Sequence, residues 1–246
     1  MHRYQVLIEY DGTKFIGWQI QRKGKSIQGS VQYCLSKLLK QKIILHGSGR
    51  TDSGVHAIEQ SAHFDSSYKI GNIKKIIKSL NFFLNYKNIS IINIRKKNIN
   101  FHARYSAKER IYKYLILNRL SPPSIDKYRF WHIRKKLNIQ LMKEGAKILL
   151  GKHDFSTFRA ANCNAKSPIR TLNKIIIKKS KDKVIFQFRS KSFLKNQVRS
   201  MVGCLKSLGE GKWNLLEFKK AIASKSRKKC AVPAVAQGLY LEKVIY

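Results

Sequence analysis

Acidic residues are scarce in this chain, which has 13 Asp and Glu against 51 Lys and Arg and a formal net charge of +38. So basic a protein is expected to bind a polyanion, because each phosphate that Lys or Arg neutralises releases condensed counterions. Lysine, isoleucine and asparagine are all abundant and the charge is spread along the chain, so part of it is compositional bias. Charge therefore favours nucleic acid over an acidic small molecule, without separating an enzyme from a binding protein.

Cysteines and long apolar runs are also few. The four cysteines are scattered and form no CxxC pair, which argues against a zinc ribbon or a disulfide framework and for a reducing compartment. No apolar run approaches the roughly 20 residues that span a bilayer. The first residues enter a strand-like pattern at once, without the apolar region of a signal peptide. We therefore expect a cytoplasmic protein with no membrane partner.

Apolar periodicity predicts the order β-α-β-β-α-β twice. In the first half the predicted strands are 4–10, 42–46, 58–65 and 89–94, with helices over 27–40 and 73–80. In the second half the predicted strands are 111–117, 169–179, 183–190 and 238–244, with helices over 137–150, 194–208 and 214–223. This pattern predicts an α+β fold of two ferredoxin-like (βαββαβ) modules, 1–105 and 106–246, whose mainly antiparallel sheets flank a basic central cleft.

Residues 47–57, Gly47-Ser48-Gly49-Arg50-Thr51-Asp52-Ser53-Gly54-Val55-His56-Ala57, place a rare carboxylate in a glycine-rich loop between two predicted strands. One interpretation is an exposed hairpin turn, since Asp, Ser and Gly are ordinary turn formers. The other is a catalytic site at Asp52. The loop lacks the Gly-Lys-Ser/Thr of a phosphate-binding loop and does not complete a dinucleotide GxGxxG motif.

Other chemistries fit the loop poorly. The histidines show no metal-ligand spacing, and His56 and His63 are expected on a strand or loop edge. A two-metal nuclease needs clustered carboxylates that this chain barely has. Asp52-Ser53-Gly54 is similar to the triplet of aspartic proteases, but those enzymes need two carboxylates, which only a symmetric dimer could supply here. What remains is a lone aspartate that Arg50 could hold ionised and oriented, able to act as nucleophile or base on a flipped nucleotide.

The loop resembles the GRTDxGVHA signature of the tRNA pseudouridine synthase A family. Further similar motifs follow in the family's order over nearly the whole chain: Glu9-Tyr10-Asp11-Gly12, Phe15-Ile16-Gly17-Trp18-Gln19, Phe101-His102-Ala103-Arg104-Tyr105-Ser106-Ala107, Arg110-Ile111-Tyr112-Lys113-Tyr114, His153-Asp154-Phe155-Ser156-Thr157-Phe158-Arg159, Phe193-Leu194, Val198-Arg199, Val202-Gly203 and Gly238-Leu239-Tyr240-Leu241. The first match is specific by itself, and the ordered series is much more so.

The resemblance implies isomerisation of uridine to pseudouridine at positions thirty-eight to forty of the tRNA anticodon stem-loop, with no metal and no cofactor. It implies that Asp52 is the catalytic aspartate and that Tyr112 stacks on the target base. Arg50 and Arg199 match arginines that bind the substrate and hold the aspartate. Without the resemblance, Tyr112 would be a strand core residue and Arg199 the polar face of a helix. Family members are homodimers, and each tRNA contacts both subunits.

The sequence departs from the family at Gln197, where a methionine is common, and ends five residues after Leu241. Neither difference involves the four site residues, although substrate range could change. Asp52 could attack the base, attack the sugar carbon or abstract a sugar proton. Two alternative functions stay open: a non-catalytic RNA-binding or chaperone protein of two RRM-like modules, which lacks a convincing RNP motif here, and the dimeric aspartic protease.

Overall fold

The computed structural model describes all 246 residues, which divide by contact into two compact units. The first comprises Met1–Lys108 together with Tyr240–Tyr246, and the second comprises Glu109–Leu239. Residues 240–246, which the sequence assigned to the second module, are thus in contact with the first unit. None of the helices has the length and apolar character needed to cross a membrane.

The first unit has the predicted β-α-β-β-α-β order. Its elements are β1 (His2–Tyr10), α1 (Ile27–Leu39), β2 (His46–Gly47), β3 (His56–Ser66), α2 (Ile73–Leu84) and β4 (Ile89–Lys97). The side chain of Ser26 accepts the amide of Gly29 at the start of α1, and Lys40 ends the helix in the left-handed region, with φ 48°. A side-chain cap satisfies one of the amides that the first helical turn leaves unpaired.

The predicted strand at 42–46 is almost entirely irregular, and only His46 and Gly47 pair as β2. Side chains of α1 take the backbone groups that a strand would have paired. Ser36 Oγ accepts the amide of Ile43 at 3.0 Å, and Gln32 Oε1 accepts that of Leu45 at 3.1 Å. Because buried backbone groups need a partner but not a particular one, helix side chains replace the ladder here.

The sheet of the first unit is mainly antiparallel, as predicted. The central strand β1 pairs antiparallel with β4 on one side and with β3 on the other. The far edge of β3 is shared, because β2 pairs with it antiparallel and β10 (Leu239–Ile245) pairs with it in parallel, Tyr240 opposite His56. Apolar side chains of β1, α1 and α2 form the core, including Val6, Ile8, Val31, Leu35, Leu80 and Leu84.

The second unit contains β5 (Glu109–Asn118), β6 (Trp131–Ile133), α3 (Ile139–Ile148), β7 (Gly151–Asp154), β8 (Ile169–Ser180), β9 (Lys183–Ser190), α4 (Gln197–Gly209) and α5 (Leu215–Ala223). Its antiparallel strands follow the order β5-β9-β8-β7, and the short β6 lies parallel to β5. The short strands β6 and β7 were not predicted. The helices and the long strands were, and the α+β class is confirmed.

Candidate active site

The loop at 47–57 joins β2 to β3 in the first unit and begins as an antiparallel hairpin. His46 and Gly47 lie opposite His63 and Ala62. The pairing continues one step into the loop, where the amide of Ser48 donates to the carbonyl of Ser61 at 2.8 Å. The base of the loop is therefore held by ladder hydrogen bonds.

Asp52 opens a tight turn at the far end of the loop. Its carbonyl accepts the amide of Val55 at 3.1 Å, and Gly54, the third residue of the turn, has φ +76°. A β-turn with positive φ at its third position favours glycine, because a side chain there would be strained. The side chain of Asp52 is half-buried. The glycine therefore determines the backbone direction at the carboxylate, and the turn that the sequence suggested is present at the candidate site.

The residues on both sides of Asp52 are anchored to the segment that follows β1. The buried hydroxyl of Thr51 lies 2.7 Å from the hydroxyl of Tyr10, and the carbonyl of Thr51 accepts the amide of Trp18 at 3.0 Å. On the other side, Ser53 Oγ donates to the carbonyl of Phe15 at 3.0 Å. Neighbours fixed in this way limit the positions that the carboxylate can take, which is the pre-organisation that a catalytic group needs.

Two glycines, Gly12 and Gly17, allow the backbone of the segment after β1 to lie directly against the backbone of the 47–57 loop. A Cβ on Gly12 would lie 2.0 Å from the carbonyl oxygen of Val55, and one on Gly17 would lie 2.7 Å from that of Thr51. Gly17 also has φ +114°. These glycines belong to the motifs Glu9-Tyr10-Asp11-Gly12 and Phe15-Ile16-Gly17-Trp18-Gln19, which only the family resemblance had indicated. Their glycines have a physical reason: no side chain fits between this segment and the aspartate loop.

A buried pair of polar side chains braces the first part of the loop. Ser48 Oγ donates to Gln60 Oε1 at 2.8 Å, and Gln60 Nε2 donates to the carbonyl of Gly49 at 2.9 Å. Both side chains are buried. Buried polar groups that are fully paired make a local structure rigid, since breaking one contact leaves a partner unsatisfied. Gln60 was not predicted as part of the site, because nothing in its residue type or spacing indicates this role.

The three other predicted site residues have different surroundings. Arg50 is exposed. Tyr112, on β5 in the second unit, is 9% exposed, and its ring packs edge-on against Phe193 with centroids 5.1 Å apart. Arg199 is on α4, where Nε donates to the carbonyl of Ala234 at 2.7 Å. Arg199 is thus held by its protein surroundings, unlike the solvated helix arginine of the simpler interpretation.

His56 and His63 lie on β3 and are buried, at 1% and 2% exposure. Their position on a strand was one of the two that the sequence predicted. His56 Nδ1 lies 3.1 Å from the amide of Gly12 and 2.9 Å from Asp11 Oδ1, so this ring holds the end of the loop against the Asp11-Gly12 turn. Its ring also stacks on Tyr240 of β10, with centroids 4.7 Å apart.

His63 belongs to a cluster of three imidazoles. Its ring centroid lies 5.0 Å from that of His46 and 4.6 Å from that of His102. The Nδ1 atoms of His63 and His102 accept the amides of Ala103 and Arg104, each at 3.1 Å. A neutral imidazole that accepts at Nδ1 carries its proton on Nε2, so neither nitrogen has a lone pair left for a metal ion. The cluster therefore fixes the backbone of residues 102–105.

Acidification is expected to destabilise the chain through His63. Burial, and then the neighbouring His102, Arg3 and His46, lower the pKa of His63 from 6.5 to about 4, with Asp65 opposing them. The unfolded chain therefore takes up this proton first, and the stability of the folded chain falls by up to about 3 kcal/mol as the pH drops from roughly 6.5 towards 4. Above that window His63 is neutral in both states and has no effect.

Denaturant unfolding at about pH 7 and about pH 4.5 measures this dependence. His63→Asn, whose amide oxygen can still accept the amide of Ala103, is expected to remove a large part of the difference between the two pH values. His153→Asn, in the second unit, is the control and should keep the difference. An unchanged pH dependence in His63→Asn would contradict the assignment.

Comparison with known proteins identifies the family. The sequence model of a family described as tRNA pseudouridine synthase matches residues 6–106 and 146–246. This chain belongs to that family. The matched ranges contain Arg50, Asp52 and Arg199, whereas Tyr112 lies between them. The tRNA pseudouridine synthase is therefore an isomerase acting on tRNA uridines, and the non-catalytic RNA-binding and protease alternatives are wrong.

Individual relatives agree with the family model. A protein named tRNA pseudouridine synthase A from Pelagibacter ubique is 62% identical over 246 residues, covering 100% of both chains. One of the same name from Maricaulis maris is 40% identical over 246 residues, covering 100% of this chain and 98% of its own. A solved Cbf5-Nop10-Gar1 complex contains a chain with 12% identity and a TM-score of 0.34, covering 82% of this chain and 54% of that chain. That likeness is too low to support an argument.

Proposed function

We propose that this tRNA pseudouridine synthase converts uridine to pseudouridine at positions thirty-eight to forty of the anticodon stem-loop, with Asp52 as the catalytic carboxylate. The reaction breaks the bond between ribose C1′ and N1, turns the base, and joins C1′ to C5. The proton lost from C5 is balanced by the one gained at N1, so no atom enters or leaves. The chemistry thus needs a positioned acid–base or nucleophilic group and no redox partner.

The observation that carries the proposal is the fixed backbone on both sides of Asp52. Thr51 is tied to Tyr10 and Trp18, Ser53 is tied to Phe15, and Gly54 sets the turn. The side chain of Asp52 is only half-buried, so part of it is exposed to solvent. A rigid backbone with an accessible carboxylate suits attack on the base, attack on the sugar carbon or removal of a sugar proton equally well. The proposal includes all three routes.

The remaining site residues are assigned to binding the substrate. The exposed guanidinium of Arg50 suits a contact with a phosphate of the substrate. We assign Tyr112 to stacking on the target base, since an aromatic face binds any base. Arg199 is assigned to the substrate backbone or to the catalytic carboxylate, and its hydrogen bond to the Ala234 carbonyl restrains its guanidinium.

The test uses tRNA made without modifications. The purified chain is incubated with it, and pseudouridine is mapped by carbodiimide treatment and primer extension. Stops at positions thirty-eight to forty are expected. Pseudouridine only elsewhere in the tRNA would contradict the proposed site while leaving the family assignment intact.

The proposal also includes a homodimer that works in the cytoplasm. One chain has a mass of 28.5 kDa. Light scattering coupled to size exclusion is expected to give twice that mass at micromolar concentration. A single-chain mass with full activity would contradict the dimer.

Salt is expected to weaken tRNA binding steeply. If six or more phosphates are neutralised by Lys and Arg, affinity falls by about 1,000-fold between roughly 50 and 200 mM salt. The net charge of +38 makes such a contact number reasonable. Filter binding across a salt series gives the slope directly. Affinity that hardly changes over this range would show that the charge is compositional bias.

A further inference from the structure

Two cysteines that are 26 residues apart in sequence meet in the second unit. The Sγ atoms of Cys204, in α4, and of Cys230, which follows a 3₁₀ turn at Arg227–Lys229, lie 3.4 Å apart. Both are free thiols. A disulfide places its sulfur atoms about 2.05 Å apart, so a shift of roughly 1.4 Å would bring this pair to bonding distance.

The two thiols have different surroundings. Cys204 is 1% exposed, and its sulfur lies 3.4 Å from the amide of Ala231. Cys230 is partly exposed, and the exposed Lys228 and Lys229 precede it directly. A small anionic oxidant is attracted to such a basic surface and can reach Cys230, whereas Cys204 is shielded from it.

The pKa values of the two thiols are also shifted in opposite directions. The hydrogen bond from Cys204 lowers the pKa of Cys230, with a further contribution from the nearby Arg227, against the effect of burial. The same hydrogen bond raises the pKa of Cys204, and burial raises it further. Since the thiolate is the reactive form, Cys230 is the nucleophile of the pair. In a mixed disulfide Cys230 cannot ionise, so the first cause of the raised pKa of Cys204 is removed.

The backbone segments that carry the two cysteines are already in close contact. The amide of Ala234 donates to the carbonyl of Arg199 at 2.9 Å, and a Cβ on Gly203 would lie 2.2 Å from the carbonyl oxygen of Val232. A disulfide between Cys204 and Cys230 would therefore link two segments that are already packed together, and no large backbone movement is needed.

We propose that Cys204 and Cys230 form a reversible disulfide by exchange with a low-molecular-weight disulfide, RS–SR. The Cys230 thiolate attacks one sulfur of RS–SR, which forms a mixed disulfide and releases RS⁻. The Cys204 thiol then loses its proton and attacks Sγ of Cys230, which forms the internal bond and releases the second RS⁻. The two protein thiols are oxidised, and RS–SR is reduced to two RSH.

The test treats the reduced full-length chain with oxidised glutathione in slightly alkaline buffer and follows its intact mass. The expected product has lost two hydrogens, its peptide map joins Cys204 to Cys230, and dithiothreitol reverses it. Cys204→Ser is expected to stop at a mixed disulfide on Cys230, and Cys230→Ser to react at least about 10-fold more slowly. The double variant Cys34→Ser/Cys163→Ser is the matched control and should still close the bond.

Two results would overturn the proposal: a mixed disulfide on Cys230 that persists in the chain with all four cysteines, or oxidation that joins another pair. Thiol chemistry needs no tRNA, so failure here would be distinct from failure of the proposed function. The bond would also fasten the segment whose Ala234 carbonyl holds Arg199. Any effect of oxidation on pseudouridine formation rests on the proposed role of that arginine.

Discussion

Asp52→Asn is expected to reduce pseudouridine formation roughly 1,000-fold or more, the size of effect that follows removal of a catalytic base or nucleophile. The amide has nearly the shape of the carboxylate, so the turn through the Asp52 carbonyl and the Val55 amide should persist. What is lost is the negative charge and the basic, nucleophilic oxygen. Single-turnover assays on unmodified tRNA measure the rate, and filter binding measures the affinity, which should stay within a few-fold.

Ser53→Ala is the matched control for this variant. It changes the next residue and removes the hydrogen bond to the carbonyl of Phe15 at 3.0 Å. Losing one such bond costs about 1 kcal/mol, so activity should fall by no more than about 10-fold. If Asp52→Asn retained activity comparable to Ser53→Ala, the aspartate would be a turn residue and not the catalytic group.

Gly12→Ala is expected to impair both stability and catalysis although it adds only one methyl group. The new Cβ would lie 2.0 Å from the carbonyl oxygen of Val55. Reaching an ordinary contact requires the loop or the segment after β1 to move by more than about 1 Å. Overpacking of this kind costs about 1–3 kcal/mol, and a displacement of that size near a catalytic group lowers the rate about 100-fold.

Gly71→Ala tests whether the position, and not the substitution itself, causes this effect. A Cβ on Gly71 meets nothing within 4 Å. Thermal unfolding and single-turnover rates should therefore match those of the unsubstituted chain. If Gly12→Ala also behaved in this way, the close packing between the segment after β1 and the aspartate loop would not matter for catalysis.

Much of the fold follows from local pattern, because apolar periodicity identifies long elements well. The helices at α1, α3 and α4 and the strands at β1, β8 and β9 were all predicted. Residues 42–45 were predicted as strand, but the amides of Ile43 and Leu45 donate to the side chains of Ser36 and Gln32 in α1. The replacement of strand pairing by side-chain hydrogen bonds depends on the packing of α1 against these residues, which local sequence does not show. The three residues of β6 and the four of β7 are too short to show a period.

Part of the candidate site could likewise be predicted from the sequence, and part could not. The turn at Asp52 was predicted from the sequence, since residue type and glycine spacing are local properties. The catalytic role of Asp52 stays a prediction. The sequence could not show that Arg50 would be exposed. It also gave no sign that His63 would be buried among other imidazoles, or that Cys204 and Cys230 would meet across 26 residues. Each of these depends on contacts between segments far apart in the chain, which periodicity does not report.

The pairing of β10 with β3 makes the first unit discontinuous in sequence. Tyr240 lies opposite His56, and the hydroxyl of Tyr246 donates to the carbonyl of Ala103 at 2.8 Å. On the ribosome, residues 240–246 emerge only after the whole second unit has been made. The pairing of β3 with β10 therefore cannot form until translation of the second unit is finished. A nascent chain should complete the pairing of β3 late, and termination before residue 240 would leave His56 without Tyr240 opposite it.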